Sequence, residues 1–296
     1  MKRILLLKGG KSREREISYR SAKAVSDSLK RQGLNFIEAE LDQNLPTILQ
    51  EFKPTVVFNA THGTYGEDGR VQGLLDILEI PYTHSSLPAS ALAMDKDRCK
   101  IILQKYGVNS AKGEVLSIKQ AQTKKFSLPI IFKPNSEGSS FGIEIIKNNN
   151  ELQNFLHQKN EEEVFLVEEF IEGRELTVGV FQNKALGVLE IKPKQDFYNF
   201  TAKYTSGGSE YIMPAHIPKN IYKQAESWAE IAHTKIGCNT LSRSDFIYSE
   251  SKGLFFLEIN TQPGFTETSL IPKMAKYNNI SFDELVSTLI KEAKTS

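Results

Sequence analysis

A polar pair interrupts an apolar segment near the C-terminus, in the sequence FLEINTQPGFTETSL at 256–270. Glu258 and Asn260 lie two residues apart, so on a β-strand both side chains point to the same face. The earlier segment RSDF carries Asp245, and pairing of the two strands would bring all three side chains together. Carboxylate and amide oxygens are the ligands that Mg²⁺ prefers. Two carboxylates cannot neutralise two such ions, so phosphate oxygens would supply the remaining negative charge, as in a metal–nucleotide site.

The alternative for this segment is a half-exposed strand whose outer face is polar. Apolar residues surround the polar ones, in FIY after Asp245 and in LFFL before Glu258. Both faces of these strands therefore look buried, and a buried carboxylate needs a partner. The pattern favours a site over a solvated strand face.

A second candidate site is the segment KPNSEGSSFG at 133–142. Lys133 ends an apolar strand, and the loop after it contains Gly138, Ser139 and Ser140. Small residues allow close approach of the backbone, and hydroxyl and N–H groups suit phosphate oxygens. A lysine at the strand end adds a positive charge. The motif alone leaves a hairpin loop with an exposed lysine as an equal alternative.

The N-terminal segment GGKSRERE imitates the end of a P-loop but does not fit one. The P-loop requires a glycine where Leu5 stands, and no segment fits the dinucleotide pattern G-x-G-x-x-G. Backbone N–H groups between a strand and a helix can still hold an anion. For the glycines taken alone, a plain strand-to-helix turn is the simpler interpretation.

Composition limits the classes of partner. The chain has 296 residues, with 37 Lys and Arg against 36 Asp and Glu, which gives a formal net charge of +1. No large field is available to attract nucleic acid or an anionic membrane. The first apolar stretch, Ile4 to Leu7, is too short for a signal peptide, and no apolar run reaches the length of a membrane span. Two cysteines make neither a disulfide framework nor a metal cluster, so we expect a cytoplasmic enzyme or binding protein.

The elements that must position these residues fall into three groups. Strand and helix patterns alternate over roughly the first 90 residues, with Ser18 as the expected N-cap of the first helix, and this predicts a parallel sheet. A single helix is expected over 91–108. Strands then follow one another more closely, which favours an antiparallel sheet with helices on one side. We predict a mixed α/β and α+β fold of three units, 1–92, 93–172 and 173–296.

Together these motifs resemble the D-alanine–D-alanine ligase family of the ATP-grasp superfamily. The resemblance covers almost the whole chain and rests on eight segments in the order of the family: GGKSRERE, THGTYGEDGRVQGLLDILEIPYT, SALAMDK, KPNSEGSSFG, VEEFIEGRELTV, FYNFTAKY, RSDF and EINTQPGFTETSL. It implies a three-domain ATP-grasp fold, with an N-terminal substrate domain and ATP held between the central and C-terminal domains. It also implies a two-step ligation for peptidoglycan synthesis, in which an acyl phosphate of one D-alanine is attacked by the amine of a second. A homodimer is a further expectation.

The resemblance also implies roles for the residues at matching positions. Two Mg²⁺ (or Mn²⁺) ions would be held by Asp245, Glu258 and Asn260. The ATP phosphates, adenine edge and ribose would be contacted by Lys96, Lys133, Ser140, Glu168, Glu169, Phe170, Ile171 and Glu175. Glu168 is expected at the adenine amino group and Glu175 at the ribose hydroxyls.

The substrate side follows in the same way. Glu14 would hold the ammonium of the first D-alanine and form a hydrogen-bonded set with Ser139 and Tyr204. The oxyanion of the second step would be stabilised by Arg243 and the Gly264 N–H group. The remaining substrate contacts would come from His62, Lys203, Ser269 and the Leu270 N–H group. Glu67, Arg70 and Lys100 match family positions that we interpret as structural.

This chain departs from the usual family pattern at four positions. His84 stands where glycine is frequent, Asn199 and Phe200 replace a common Asp-Tyr pair, and Phe265 stands where methionine is usual. The retained Lys203–Tyr204 pair favours an amine as the second substrate. The alternatives are another ATP-grasp carboxylate–amine or depsipeptide ligase, and a non-catalytic nucleotide sensor.

Overall fold

The structure is a computed structural model that describes residues 2–138, 142–193, 208–266 and 269–296. The described residues form one parallel and two antiparallel sheets with flanking helices, so the predicted mixture of α/β and α+β is confirmed. Within these ranges, the helices lack the combination of length and apolar character that a membrane span requires.

The N-terminal sheet is parallel, as predicted, with the strand order β2-β1-β3. Its strands are β1 (Ile4–Lys8), β2 (Phe36–Glu40) and β3 (Val56–Asn59), and its helices are α1 (Arg15–Arg31), α2 (Leu45–Phe52) and α3 (Arg70–Ile77). Successive residues of β1 face different cores: Ile4 and Leu6 pack with α1, whereas Leu5 and Leu7 pack with α2 and α3. A strand buried on both faces explains the continuous apolar run at its start.

The predicted N-cap of the first helix is wrong. Helix α1 begins at Arg15, so Ser18 lies inside the helix and is completely buried. Its hydroxyl donates to the carbonyl oxygen of Ala60 at 2.8 Å and accepts from the N–H group of Gly9 at 2.8 Å. The serine therefore ties the glycine turn to the end of β3 instead of capping the helix.

The single helix expected over 91–108 is also wrong, because the structure has two helices, α4 (Leu87–Met94) and α5 (Lys96–Gln104). Asp95 between them has an extended backbone, and its carboxylate accepts from the N–H group of Arg98 at 3.1 Å. An aspartate in this role is an N-cap, which starts a new helix in a new direction. The break places Lys96 at the first position of α5.

The central sheet is antiparallel, as predicted, with the order β4-β7-β5-β6. Its elements are β4 (Gly113–Ser117), α6 (Ile118–Gln122), β5 (Ile130–Pro134), β6 (Glu144–Ile146), α7 (Asn149–Gln158) and β7 (Val164–Glu169). Apolar residues of both helices pack on one face of this sheet, around Phe132. The opposite face is left to line a cavity.

The C-terminal sheet is antiparallel, with the order β10-β9-β8-β11-β12. Its strands are β8 (Arg174–Phe181), β9 (Lys184–Pro193), β10 (Ser209–Ile212), β11 (Leu241–Ser249) and β12 (Gly253–Asn260), and the helices after β10 are α8 (Lys219–Ile236), α9 (Leu270–Tyr277) and α10 (Phe282–Glu292). The sequence patterns did not predict α2, β4, α6, β10 or α9.

Two cores join residues from distant parts of the chain. The C-terminal helix α10 packs against α1 in the core beside β1, and α5 packs against α8 and β12 in the core of the C-terminal sheet. The first and last thirds of the chain are therefore held together by apolar contacts. The domain limits near residues 92 and 173 stay predictions.

Candidate active site at the junction of two cavities

Two cavities meet at Lys96, Asp245 and Glu258, which line both of them. One cavity is bounded by the segment after β12 and is named here the turn cavity; it is lined further by Glu14, His62, Glu67, Met94, Gly138, Arg243, Asn260, Gly264, Thr266, Ser269 and Leu270. The other lies between the two antiparallel sheets and is named the sheet cavity; it is lined further by Ile131, Lys133, Glu168, Glu169, Phe170, Ile171, Glu175, Ile247 and Leu257.

Strands β11 and β12 pair as the sequence predicts, and the polar residues converge. Asp245 is opposite Glu258, and Arg243 is opposite Asn260. Arg243 donates to both carboxylate oxygens of Asp245, at 3.0 and 2.9 Å. The hydroxyl of Thr177, on the neighbouring strand β8, donates to Asp245 at 2.6 Å. Asp245 is thus fixed in the sheet, with its charge compensated on one side.

Thr177 was missed by sequence reasoning. It lies in an apolar strand, ELTVGV, where a threonine looks like an ordinary β-former. Its position opposite Asp245 follows from the register between β8 and β11, which no local pattern reveals.

The donor set fits hard metal ions. Two carboxylates and the amide oxygen of Asn260 lie at one end of the strand pair. Asn260 also accepts from the Gln262 N–H group at 2.8 Å, which orients its oxygen. Among the described residues no group of three or more His, Cys, Asp or Glu side chains could hold a metal ion. A cation here would therefore need oxygens from a bound phosphate as well, as the sequence suggested.

Two buried charges, Lys133 and Glu168, line the sheet cavity, and a third buried charge, Lys100, pairs with Glu168. Lys100 and Lys133 each contact one carboxylate oxygen of Glu168. Burial opposes the ionisation of Glu168, but the two lysines outweigh it and lower the pKa of this carboxyl. Burial, together with the charge of Lys133, lowers the pKa of Lys100 to about 7. Two ammonium groups share one carboxylate, so an anion in this cavity would improve the charge balance.

Lys96 connects the cavities to the loop after β5. Its ammonium group donates to the carbonyl oxygen of Glu137 at 2.6 Å and lies 3.3 Å from a carboxylate oxygen of Glu258. Gly138, the next residue, approaches Glu14 so closely that an added Cβ would lie 3.3 Å from its carboxylate. The predicted partners Ser139 and Ser140 follow directly but lie outside the described residues, as do Lys203 and Tyr204.

His62 is held from both sides at the wall of the turn cavity. Its Nδ1 lies 2.9 Å from Glu67 Oε1, and its Nε2 lies 2.9 Å from the hydroxyl of Ser21. Burial opposes the charged imidazolium, but the hydrogen bond and charge of Glu67, together with the charge of Glu14, raise the pKa of His62 above its ordinary value. Glu67 therefore orients His62; because Glu67 also lines the turn cavity, its purely structural role stays a prediction.

The segment after β12 folds closely around Gly264. An added Cβ at this glycine would lie 2.9 Å from the Ser269 hydroxyl, so a side chain here would require that hydroxyl to move. Ser269 accepts from the Thr266 N–H group at 3.0 Å and occupies the N-cap position of α9. Leu270 is the first residue of that helix, where backbone N–H groups lack intrahelical partners and favour a carboxylate.

The sequence and the fold of this chain match those of known proteins. The family model described as D-ala D-ala ligase C-terminus matches residues 101–291, and the model described as D-ala D-ala ligase N-terminus matches residues 35–85. The D-alanine–D-alanine ligase of Bartonella bacilliformis is 42% identical over 99% of this chain and 98% of its own length. That of Wolbachia pipientis wMel is 44% identical over 98% of this chain and 94% of its own length.

Solved structures give the same result. A D-alanine–D-alanine ligase from Bacillus anthracis complexed with ATP superposes with a TM-score of 0.83 at 26% identity, covering 98% of this chain and 96% of that one. The VanG D-Ala:D-Ser ligase from Enterococcus faecalis superposes with a TM-score of 0.81 at 28% identity, covering 98% of each chain. These matches confirm the fold predicted from the sequence, and the chain belongs to the D-alanine–D-alanine ligase family.

Proposed function

We propose that this chain uses ATP to join two D-alanine molecules into D-alanyl-D-alanine, a building block of peptidoglycan, through an acyl phosphate. The observation that carries the proposal is the junction of the two cavities at Lys96, Asp245 and Glu258. A phosphoryl group moving from a nucleotide in the sheet cavity to a carboxylate in the turn cavity would cross this junction. Membership of the family and the ATP complex of the Bacillus anthracis relative support the assignment of ATP.

The sheet cavity suits a nucleotide. Its walls include Ile131 and Ile171, which offer apolar surface to an adenine ring. We assign the adenine contacts to Glu168 and its neighbours at 169–171, and the ribose contacts to Glu175. Both carboxylate oxygens of Glu168 already accept from lysines, so an amino group of adenine would share a remaining lone pair. Phosphate oxygens would be neutralised by Lys96 and Lys133, and Ser140 follows the same loop.

Asp245, Glu258 and Asn260 would hold two Mg²⁺ or Mn²⁺ ions. Such ions, when bound, would offset the charge that develops during phosphoryl transfer. An ionised carboxylate has about four lone-pair sites. Arg243 and Thr177 donate three hydrogen bonds to Asp245, which leaves about one site for a metal. Glu258 would then supply most of the carboxylate coordination.

The turn cavity would hold the two amino acids. Glu14 would bind the ammonium of the first D-alanine, with Ser139 and Tyr204 completing its hydrogen-bonded set, and His62 would contact the same substrate. The carboxylate of the second D-alanine would be bound by Ser269, the Leu270 N–H group and Lys203.

When the amine of the second D-alanine attacks the acyl phosphate, negative charge develops on the carbonyl oxygen. The Gly264 N–H group and Arg243 would stabilise it. A guanidinium has five N–H donors, and Arg243 uses two of them on Asp245. The pair with Asp245 holds the guanidinium in place before the charge forms, so little reorganisation is needed during the reaction.

The decisive experiment measures phosphate release from ATP and Mg²⁺ with D-alanine as the only amino acid, and identifies the product by mass spectrometry. We expect D-alanine-dependent phosphate release and D-alanyl-D-alanine. D-serine, D-lactate and L-alanine, each added with D-alanine, test the second position, and D-serine is included because of the likeness to the VanG enzyme. ATP binding without D-alanine-dependent turnover would refute the proposal and favour a nucleotide sensor.

Two further proposals concern the assembly and the location of the protein. The family resemblance implies a homodimer and a cytoplasmic location. Analytical ultracentrifugation across a range of protein concentrations tests the first, and fractionation of the source cells tests the second.

A further inference from the structure

One completely buried hydroxyl, that of Ser21, connects the two sides of the turn cavity. It lies 2.9 Å from Nε2 of His62, and it accepts a hydrogen bond from the backbone N–H group of Phe265 at 3.3 Å. His62 belongs to the segment after β3, whereas Phe265 belongs to the turn after β12. These two segments are about 200 residues apart in the chain and meet at this atom.

We propose that Ser21 is a positioning residue that fixes the distance between His62 and the turn carrying Gly264. This inference rests on the proposed function, in which His62 serves the first substrate and the Gly264 N–H group serves the second step. Phe265 directly follows Gly264, so the hydrogen bond to Ser21 restrains the peptide unit beside the expected oxyanion donor. A shift of this turn would change where the attacking amine meets the acyl carbon.

The hydrogen bonds at Ser21 are compatible with both charge states of His62. The carboxylate of Glu67 faces Nδ1 of His62, which places a proton on Nδ1 in the neutral ring as well as in the imidazolium. The Ser21 hydroxyl donates to Nε2 of the neutral ring or accepts from Nε2–H of the imidazolium, and a lone pair of the same hydroxyl accepts from the Phe265 N–H group. Alanine at this position would leave a buried ring nitrogen and a buried backbone donor without this partner.

A serine at position 21 requires a structural explanation. Ser21 lies in the interior of α1, where alanine is the better helix former. Its position is completely buried, so solvation of the hydroxyl gives no reason for it. The hydrogen bonds across the cavity wall supply that reason.

The test compares Ser21→Ala with Ser28→Ala in the full-length enzyme. Ser28 also lies in α1 and is completely buried, and its hydroxyl donates to Asp283 at 2.6 Å, outside the linings of both cavities. Both variants remove one buried hydroxyl from the same helix. We expect Ser21→Ala to lower kcat with D-alanine at least about tenfold, because small displacements of reacting groups have large effects on rate.

The KM for ATP should stay within about twofold of the parent, since Ser21 lies outside the sheet cavity, and Ser28→Ala should keep the parental kcat. If Ser21→Ala does not fold, Ser21→Cys replaces it, since a thiol is similar in size but a weak hydrogen-bonding group, and the same loss is expected. An unchanged kcat, or an equal loss in Ser28→Ala, overturns the inference while the proposed function stands. A parent enzyme without D-alanine-dependent turnover refutes both.

Discussion

Glu168 compensates two buried lysines at once, so its replacement by glutamine tests the charge balance of the sheet cavity. Glu168, Lys100 and Lys133 are 3%, 4% and 6% exposed. Glutamine keeps the size of the side chain but leaves two buried ammonium groups without a counter-charge. Breaking a buried ion pair by removing one partner costs about 3–5 kcal/mol. Burial and the charge of Lys133 already lower the pKa of Lys100 to about 7, so Lys100 can release its proton in the variant. This release keeps the loss in unfolding free energy within that range.

At about 2–4 °C per kcal/mol, the melting temperature of Glu168→Gln should fall by about 6–20 °C. Addition of ATP and Mg²⁺ should raise the melting temperature of the variant more than that of the parent, because phosphate oxygens would replace the missing negative charge next to Lys133. Differential scanning calorimetry with and without nucleotide measures both effects. A larger gain in melting temperature for the variant would show that the ion pair also prepares the cavity for an anionic ligand, whereas an equal gain would show that it only stabilises the fold.

The matched control is Glu190→Gln. Glu190 is 2% exposed and accepts from Arg174 at 2.7 and 2.6 Å, but it lines neither cavity. This variant should also lose stability, while its gain from ATP should equal that of the parent. The reasoning is refuted if Glu168→Gln melts within about 3 °C of the parent, or if its gain from ATP is no larger than that of the control.

Three further predictions concern single residues. Lys133→Met should raise the KM for ATP at least about tenfold, because a charge-assisted contact is lost. Lys100→Met should change this KM less than about threefold, because Lys100 lies behind Glu168 and outside the cavity lining. Steady-state kinetics measure both values. Glu258→Gln should lower kcat at least about 100-fold with a nearly unchanged melting temperature, and an unaffected rate would contradict the metal assignment. Burial lowers the pKa of His84 from 6.5 to about 3. Between these values the unfolded chain binds a proton that the folded chain does not, so the free energy of unfolding should fall by about 2 kcal/mol from pH 7 to pH 5. Urea titrations at both pH values should show a smaller fall in His84→Gly.

Short-range patterns predicted the parts of the site that lie on one strand pair. Period-two spacing brought Glu258 and Asn260 to one face, and the pairing of β11 with β12 added Asp245. The order of strands and helices also predicted the parallel and antiparallel sheets. In each case the controlling interaction is local, either side-chain alternation along a strand or the pairing of sequence neighbours.

Contacts between distant segments could not be predicted in this way. Lys100 precedes its partner Glu168 by 68 residues, and Ser21 precedes His62 by 41. Both pairs depend on how a helix packs against a sheet, which the helical period alone does not determine. The break at Asp95 was missed for a related reason: residues that favour a helix continue on both sides of it, and only the capping aspartate marks the new helix.

The structure also gives a reason for two departures from the usual family pattern. His84 has a left-handed backbone with φ of 70°, the region that favours glycine, which explains why glycine is frequent at this position. Its ring lies 5.8 Å from that of Phe265 in an edge-to-face arrangement, and both rings contact Phe58 in the same way. Histidine in place of glycine and phenylalanine in place of methionine therefore form one packing unit behind the turn. Since Gly264 remains at the cavity wall in front of this unit, the two departures change the residues that pack behind the turn while Gly264 still lines the cavity.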